Sequence, residues 1–233
     1  MAKIIIIIYT TYTHVYQLAL EIKKGVERVN HGSNVEIFQI PESFQDQVPD
    51  QMHEYSKPDI PFVTTEKLAE ADGILFGIPA RSGQFPAQFK EFLDSSSQLL
   101  GKESLNNKFG GIFFSMDMQQ NGQEMIAFTV INWLSHHGIN FIPLGSGSHE
   151  ELIGGIPWGA GTITNNDTLR TISEKEKDIA QFQGKKFAEI VIAYVKGRTT
   201  MTAKIVTENP TQVLNENLGK RCRKFLVGRK EQD

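Results

Sequence analysis

Three threonines, Thr10, Thr11 and Thr13, fall within four positions of the stretch Tyr9-Thr10-Thr11-Tyr12-Thr13-His14-Val15. Hydroxyls so spaced can hydrogen-bond an anion, and the flanking residues say where they sit. Ile4 to Ile8 is an unbroken isoleucine run. β-branched residues without polar alternation predict a strand buried on both faces, as in the centre of a parallel sheet. After the threonines the period changes. Val15, Leu18, Ala19, Ile22, Val26 and Val29 recur at helical spacing, with charged residues between them. The turn therefore ends at a helix N-terminus, whose unpaired N–H groups and positive dipole end favour an anion such as phosphate. The same hydroxyls would also serve as plain helix caps. On these residues alone both readings stand.

The rest of the chain repeats the alternation. Val35 to Gln39 reads as a second strand, followed by a polar excursion to Val63 with prolines at 41, 49, 58 and 61. Thr64 to Glu70 resembles a capped helix, Gly73 to Gly77 a third strand, and Ile78 to Pro86 a second junction loop before a helix marked by Phe89, Phe92 and Leu93. Phe109 to Phe114 is a fourth strand, Ser115 to Gly122 a third junction loop, Met125 to His137 a helix, and Asn140 to Pro143 a fifth strand. A glycine-rich loop runs from Leu144 to about Thr171, before a charged helix from Ser173 to about Lys196. Five alternating strands predict an α/β, doubly wound parallel sheet with its ligand at the carboxyl ends of the strands. The first loop lacks the Gly-x-Gly-x-x-Gly fingerprint, so a flavodoxin-like order, 2-1-3-4-5, fits better than a classical Rossmann domain.

Composition narrows the classes. A chain of 233 residues suits one domain, here 1–197, with a polar linker and basic tail over 198–233. A formal charge of -3 argues against a nucleic-acid partner that needs a basic surface. One cysteine, Cys222, leaves no intrachain disulfide and no cysteine-rich metal site. His136-His137 is a poor metal pair, because adjacent helical residues point about 100° apart. The isoleucine run is too short to span a bilayer and no signal-peptide pattern follows it, so a cytoplasmic protein is expected.

Taken together, several segments resemble, in order and spacing, the WrbA family of flavodoxin-like NAD(P)H:quinone oxidoreductases, and its fungal branch in particular. They are Tyr9 to Val15, Phe76 to Gln88, Gly122 to Glu124, Leu134 to Gly138, Pro143 to Gly145 and Gly154 to Thr162. The likeness covers roughly Lys3 to Tyr194. It implies FMN as cofactor, with its phosphate at Thr10, Thr11, Tyr12, Thr13, His14 and Val15 and its ring against Ala80, Arg81 and Ser82. It further implies contacts from Met116, Asp117, Met118, Gln119, Gln120, Asn121 and His136. NAD(P)H would be the co-substrate, with Tyr12 at a position that contacts the nicotinamide nucleotide, and a quinone the acceptor. A homo-oligomer, dimer or tetramer, is implied too, with Trp158 either covering a neighbouring subunit's pocket or anchoring its own loop.

The chain departs from the family's pattern at the site. Thr13 replaces a glycine, and a β-branched residue resists positive φ and close approach to phosphate, so weaker FMN binding is expected. Met116 to Asn121 replaces a stretch rich in threonine and glycine, and Asp117 there would repel a reduced flavin. Leu100 replaces a tryptophan, and Ser82 a common phenylalanine. These departures keep open an alternative, a non-catalytic flavodoxin-like scaffold at the plasma membrane with weak or no FMN binding. Lys220 to Lys230 surrounds Phe225-Leu226-Val227 and Cys222 with basic residues. That pattern suits peripheral contact with an anionic membrane, as well as a simple solvated tail.

Overall fold

The computed structural model describes residues 1–29, 32–43, 58–80, 82–118, 122–146 and 157–207. Four parallel strands carry the sheet: β1 (Ala2–Ile8), β2 (Ser33–Gln39), β3 (Gly73–Ala80) and β4 (Phe109–Met116). With β5 (Asn140–Phe141) they run in the order β2-β1-β3-β4-β5. The isoleucine strand is central, Ile4 pairing with Val35 on one side and Gly73 on the other, and Ile6, Ile7 and Ile8 are wholly buried. Both faces of β1 meet side chains because helices cover both faces of the sheet. Ile5 and Ile7 join a cluster with Phe76, Phe89, Phe114 and Val130.

The opposite face is covered by α1 (His14–Glu27) and the last helix, α6 (Glu174–Thr207). Two glycines let them approach: a Cβ on Gly184 would lie 2.0 Å from the Ile22 carbonyl oxygen, and one on Gly25 2.0 Å from that of Gln181. Phe187 fills the space above Gly73 and Gly111, where larger residues would collide with it. The remaining helices are α2 (Thr65–Glu70), α3 (Ala87–Ser95), the short α4 (Ser97–Leu100) and α5 (Gln123–His136).

Several boundaries differ from the sequence expectation, and the larger differences are these. The third strand continues past Gly77 to Ala80 in spite of Pro79, pairing with β4 as far as Met116. Pairing with β1 stops at Gly77, so the missing Pro79 N–H removes no ladder bond on that side. Among the described residues the fifth position of the sheet is split between two short strands. β5 pairs only at Phe109 and Gly110, the chain leaves, and β6 (Gly161–Ile163) returns to pair with Phe114, Ser115 and Met116 of the same strand. Gln183 secures the return, accepting from the Ala160 N–H at 2.9 Å and donating to the Ile112 carbonyl at 2.8 Å. Finally, the last helix does not end near Lys196 but runs to Thr207. The chain divides into two compact units, 1–192 and 193–233, the boundary lying within α6. In the second unit the described residues are helical, with the Arg198 guanidinium 5.9 Å above the Tyr194 ring. The basic segment 220–230, with Cys222, lies outside the described residues.

Candidate functional site

The carboxyl ends of β1, β3 and β4 open into a cavity of about 670 Å³, within the usual range for small-molecule sites. Its first wall is the β1–α1 turn, from which Thr10, Thr11, Tyr12, His14 and Val15 line it. The Thr10 hydroxyl donates to the Tyr12 carbonyl and fixes the turn. Thr13 ends the turn without a side-chain cap bond, so the first N–H groups of α1 keep no side-chain acceptor from this position. This is a frame that fits a phosphate: backbone donors, hydroxyls and the positive end of a 14-residue helix.

Thr13 itself faces elsewhere. It is not on the cavity wall, its φ is -72°, and its hydroxyl accepts a 3.1 Å hydrogen bond from the Gln17 amide. The positive φ that would have made glycine necessary is absent. That removes the conformational ground for expecting weakened phosphate binding.

The second wall follows β3. Pro79, Ala80, Ser82 and Phe85 line the cavity, and Ser82 and Gly83 turn through φ values of 51° and 75°. Gly122, at φ 82°, meets this turn so closely that a Cβ would stand 2.6 Å from the Gly83 Cα. The second and third loops therefore touch backbone to backbone. Arg81 lies outside the described residues, as do Gln119, Gln120 and Asn121.

Of the stretch read as the third loop, Ser115, which the structure places at the end of β4, and Asp117 line the cavity among the described residues. Met116 is buried in the core and Met118 is exposed at 58%. His136 is not among the residues that line the cavity. Helix α5 begins beside Gly83, and its 14 residues carry His136 about 20 Å along the axis. It lies exposed just before the start of β5, away from this chain's cavity. Trp158 is half-buried and packs edge-on against Phe128, ring centroids 5.2 Å apart, which anchors its own loop.

Two parts of the site had no counterpart in the sequence reading. Glu42, just past β2, accepts from the Tyr9 hydroxyl at 2.8 Å and also from the Gln88 amide. Burial first, then the Glu42 hydrogen bond and charge, push the Tyr9 phenol above its ordinary range, so it stays a neutral donor. A fourth wall comes from the loop between β6 and α6, through Thr164, Asn166 and Thr168. Its base is the buried Glu176, which accepts from Arg170 at 2.8 Å and from the Ser173 N–H at 2.6 Å. The Ser173 hydroxyl in turn accepts from the Glu176 N–H, a capping box that starts α6. Burial alone would raise the Glu176 carboxyl, but the bonds from Arg170 and Ser173 outweigh it and hold the group below its usual range. His14 is buried against the same loop; desolvation first, and the Arg170 charge second, hold it below its ordinary value and neutral. Among the described lining residues the charged groups are two carboxylates, Glu42 and Asp117.

Comparison with known proteins places this architecture. Residues 9–150 match the family described as NADPH-dependent FMN reductase. The Candida albicans NAD(P)H quinone oxidoreductase PST1 is 42% identical over 194 residues, covering 81% of this chain and 97% of that protein. Quinone-oxidoreductase QR2 of Triphysaria versicolor is 43% identical over 194 residues, covering 81% and 94%. A flavodoxin, WrbA-like protein from Agrobacterium tumefaciens superposes with a TM-score of 0.58 at 17% identity, over 82% of this chain and 98% of that one, a likeness of fold. The chain belongs to the NADPH-dependent FMN reductase family and is a homologue of the fungal NAD(P)H quinone oxidoreductases.

Proposed function

We propose that the protein is an FMN-dependent NAD(P)H:quinone oxidoreductase of the WrbA branch, reducing quinones by two electrons in defence against oxidative stress. The observation that carries this reading is the cavity itself. It is about 670 Å³, floored by an uncapped helix N-terminus and walled by Thr10, Thr11 and Tyr12. FMN bound here would supply two-electron transfer from NAD(P)H to a quinone. The protein's part is placement. The β1–α1 turn would hold the phosphate by backbone N–H groups and hydroxyls. Pro79, Ala80 and Phe85 give the second wall an apolar surface for a flat ring and keep water from it. Asp117 sets the charge on the third side.

The same reading includes a homo-oligomer, supported by exposed apolar side chains on and near α5: Met118 at 58%, Met125 at 62% and Phe128 at 50% exposure. It also includes a cytoplasmic protein in peripheral contact with the plasma membrane through residues 220–230. The basic composition around Phe225 supports this. Removal of Lys220 to Asp233 should reduce sedimentation with anionic liposomes, and unchanged sedimentation rejects the membrane contact. For the enzyme, purified protein supplied with FMN should oxidise NADH or NADPH in the presence of a quinone. No turnover by a flavin-loaded sample rejects the activity.

A further inference from the structure

The fourth wall, Thr164, Asn166 and Thr168, lines the same cavity as Thr10 and Thr11 of the threonine turn. The backbone there is held in a demanding form, with Asn165 and Asn166 at φ values of 53° and 61°. Asparagine tolerates this region better than most residues. The wall is tied down on three sides. Asn165 N–H donates to the Asp117 carbonyl at 2.9 Å, and the Thr164 hydroxyl to the Asp117 carboxylate at 3.3 Å. Arg170 binds Thr162 and the buried Glu176, both at 2.8 Å. Gln17, on the first turn of α1, accepts from the Ile172 N–H at 3.0 Å while donating to Thr13.

These ties fix which end of the cavity the wall serves. His14, the first residue of α1, is packed against the segment of Asp167 and Arg170, and Gln17 joins α1 to Ile172. The wall therefore stands at the helix N-terminus, beside the anion frame.

We propose that the turn Thr164–Thr168 is a fourth cofactor-binding element, in which the Asn166 amide and the Thr168 hydroxyl bind the phosphate end of a phosphorylated flavin. Arg170 and Gln17 act as positioning residues, holding this wall beside the helix N-terminus. The wall thereby contributes selectivity for FMN over riboflavin, which has the same ring and polyol but no phosphate. This rests on the reading of the cavity as a flavin site.

The test is titration of the full chain with FMN and, separately, with riboflavin, followed by flavin fluorescence. Asn166→Gly keeps the left-handed backbone and removes the amide; Thr168→Val keeps the shape and removes the hydroxyl. Each should weaken FMN about tenfold, as loss of a hydrogen bond to a charged group does, and leave riboflavin within about twofold at an unchanged Tm. Equal loss for both flavins, or no loss for either in both variants, overturns the proposal. A shift confined to the KM for NADPH would assign the wall to the nucleotide phosphate and also overturn it. If the unaltered chain binds neither flavin, the flavin reading falls with it.

Discussion

The Gln17 side chain donates to the Thr13 hydroxyl at 3.1 Å, and Thr13 begins α1 with an ordinary helical φ of -72°. The position of the phosphate turn at which the family resemblance implies a glycine is thus not on the cavity wall. Thr13→Gly should leave the Kd for FMN within about twofold, while removing the Gln17 bond and loosening the backbone, at a cost of about 1 kcal/mol. Titration and thermal unfolding check the two halves. A large gain in affinity would mean that the Thr13 side chain obstructs the site.

Asp117 puts a carboxylate on the cavity wall with the Thr164 hydroxyl 3.3 Å away. A negative charge there opposes reduction of the bound flavin. At an effective dielectric of about 20 the opposition is on the order of 1–2 kcal/mol, or about 20–40 mV for a two-electron couple. Asp117→Asn should raise the midpoint potential of the loaded protein by that amount, read by dye-equilibrated reduction. An unchanged or lower potential would contradict the placement.

Gly184 lies where α6 crosses α1, and an added Cβ would stand 2.0 Å from the Ile22 carbonyl oxygen. The carbonyl it meets belongs to helix backbone, so the helices must move apart. Gly184→Ala should cost about 1–3 kcal/mol and lower the Tm by about 3–10 °C. A variant as stable as the parent would place the helices farther apart than described.

Two groups under the fourth wall set the acid limit of stability. His14 is held below its ordinary pKa, so the unfolded chain binds its proton first, and stability declines as pH falls below about 6.5. Glu176 is also depressed. Its contribution is fully present above the unfolded carboxyl value of about 4.3 and is lost as pH falls through the lower folded value. Denaturant midpoints should therefore fall in two stages. Glu176→Gln should remove the lower one and reduce stability at neutral pH.

Much of this architecture was legible in the residues. The isoleucine run and the change from continuous burial to helical spacing at Val15 located β1, the turn and α1, because both patterns follow from which faces are covered. The order of strands followed from alternation. The split fifth strand was not legible, since Gly161–Ile163 is too short to show a period and lies in a glycine-rich loop. For the same reason the fourth wall was missed, although the capping pair Ser173 and Glu176 marked the start of α6 and so the end of the loop before it. The family likeness implies a flavin contact from His136, which is not on the described cavity wall. The length of α5 carries it to the other end of the sheet, a distance that local motif matching does not register. Glu42 escaped notice because its partners, Tyr9 and Gln88, are distant in sequence and meet only when β1, β2 and β3 are aligned.

The cavity at the ends of β1, β3 and β4 fits a working flavin site. The most direct measurement is a titration of the full chain with FMN by flavin fluorescence and absorbance, followed by addition of NADPH and a quinone to the same sample. Saturable binding of one FMN per chain, tighter than riboflavin, is expected, with bleaching by NADPH that the quinone reverses. No saturable binding at millimolar FMN would contradict it.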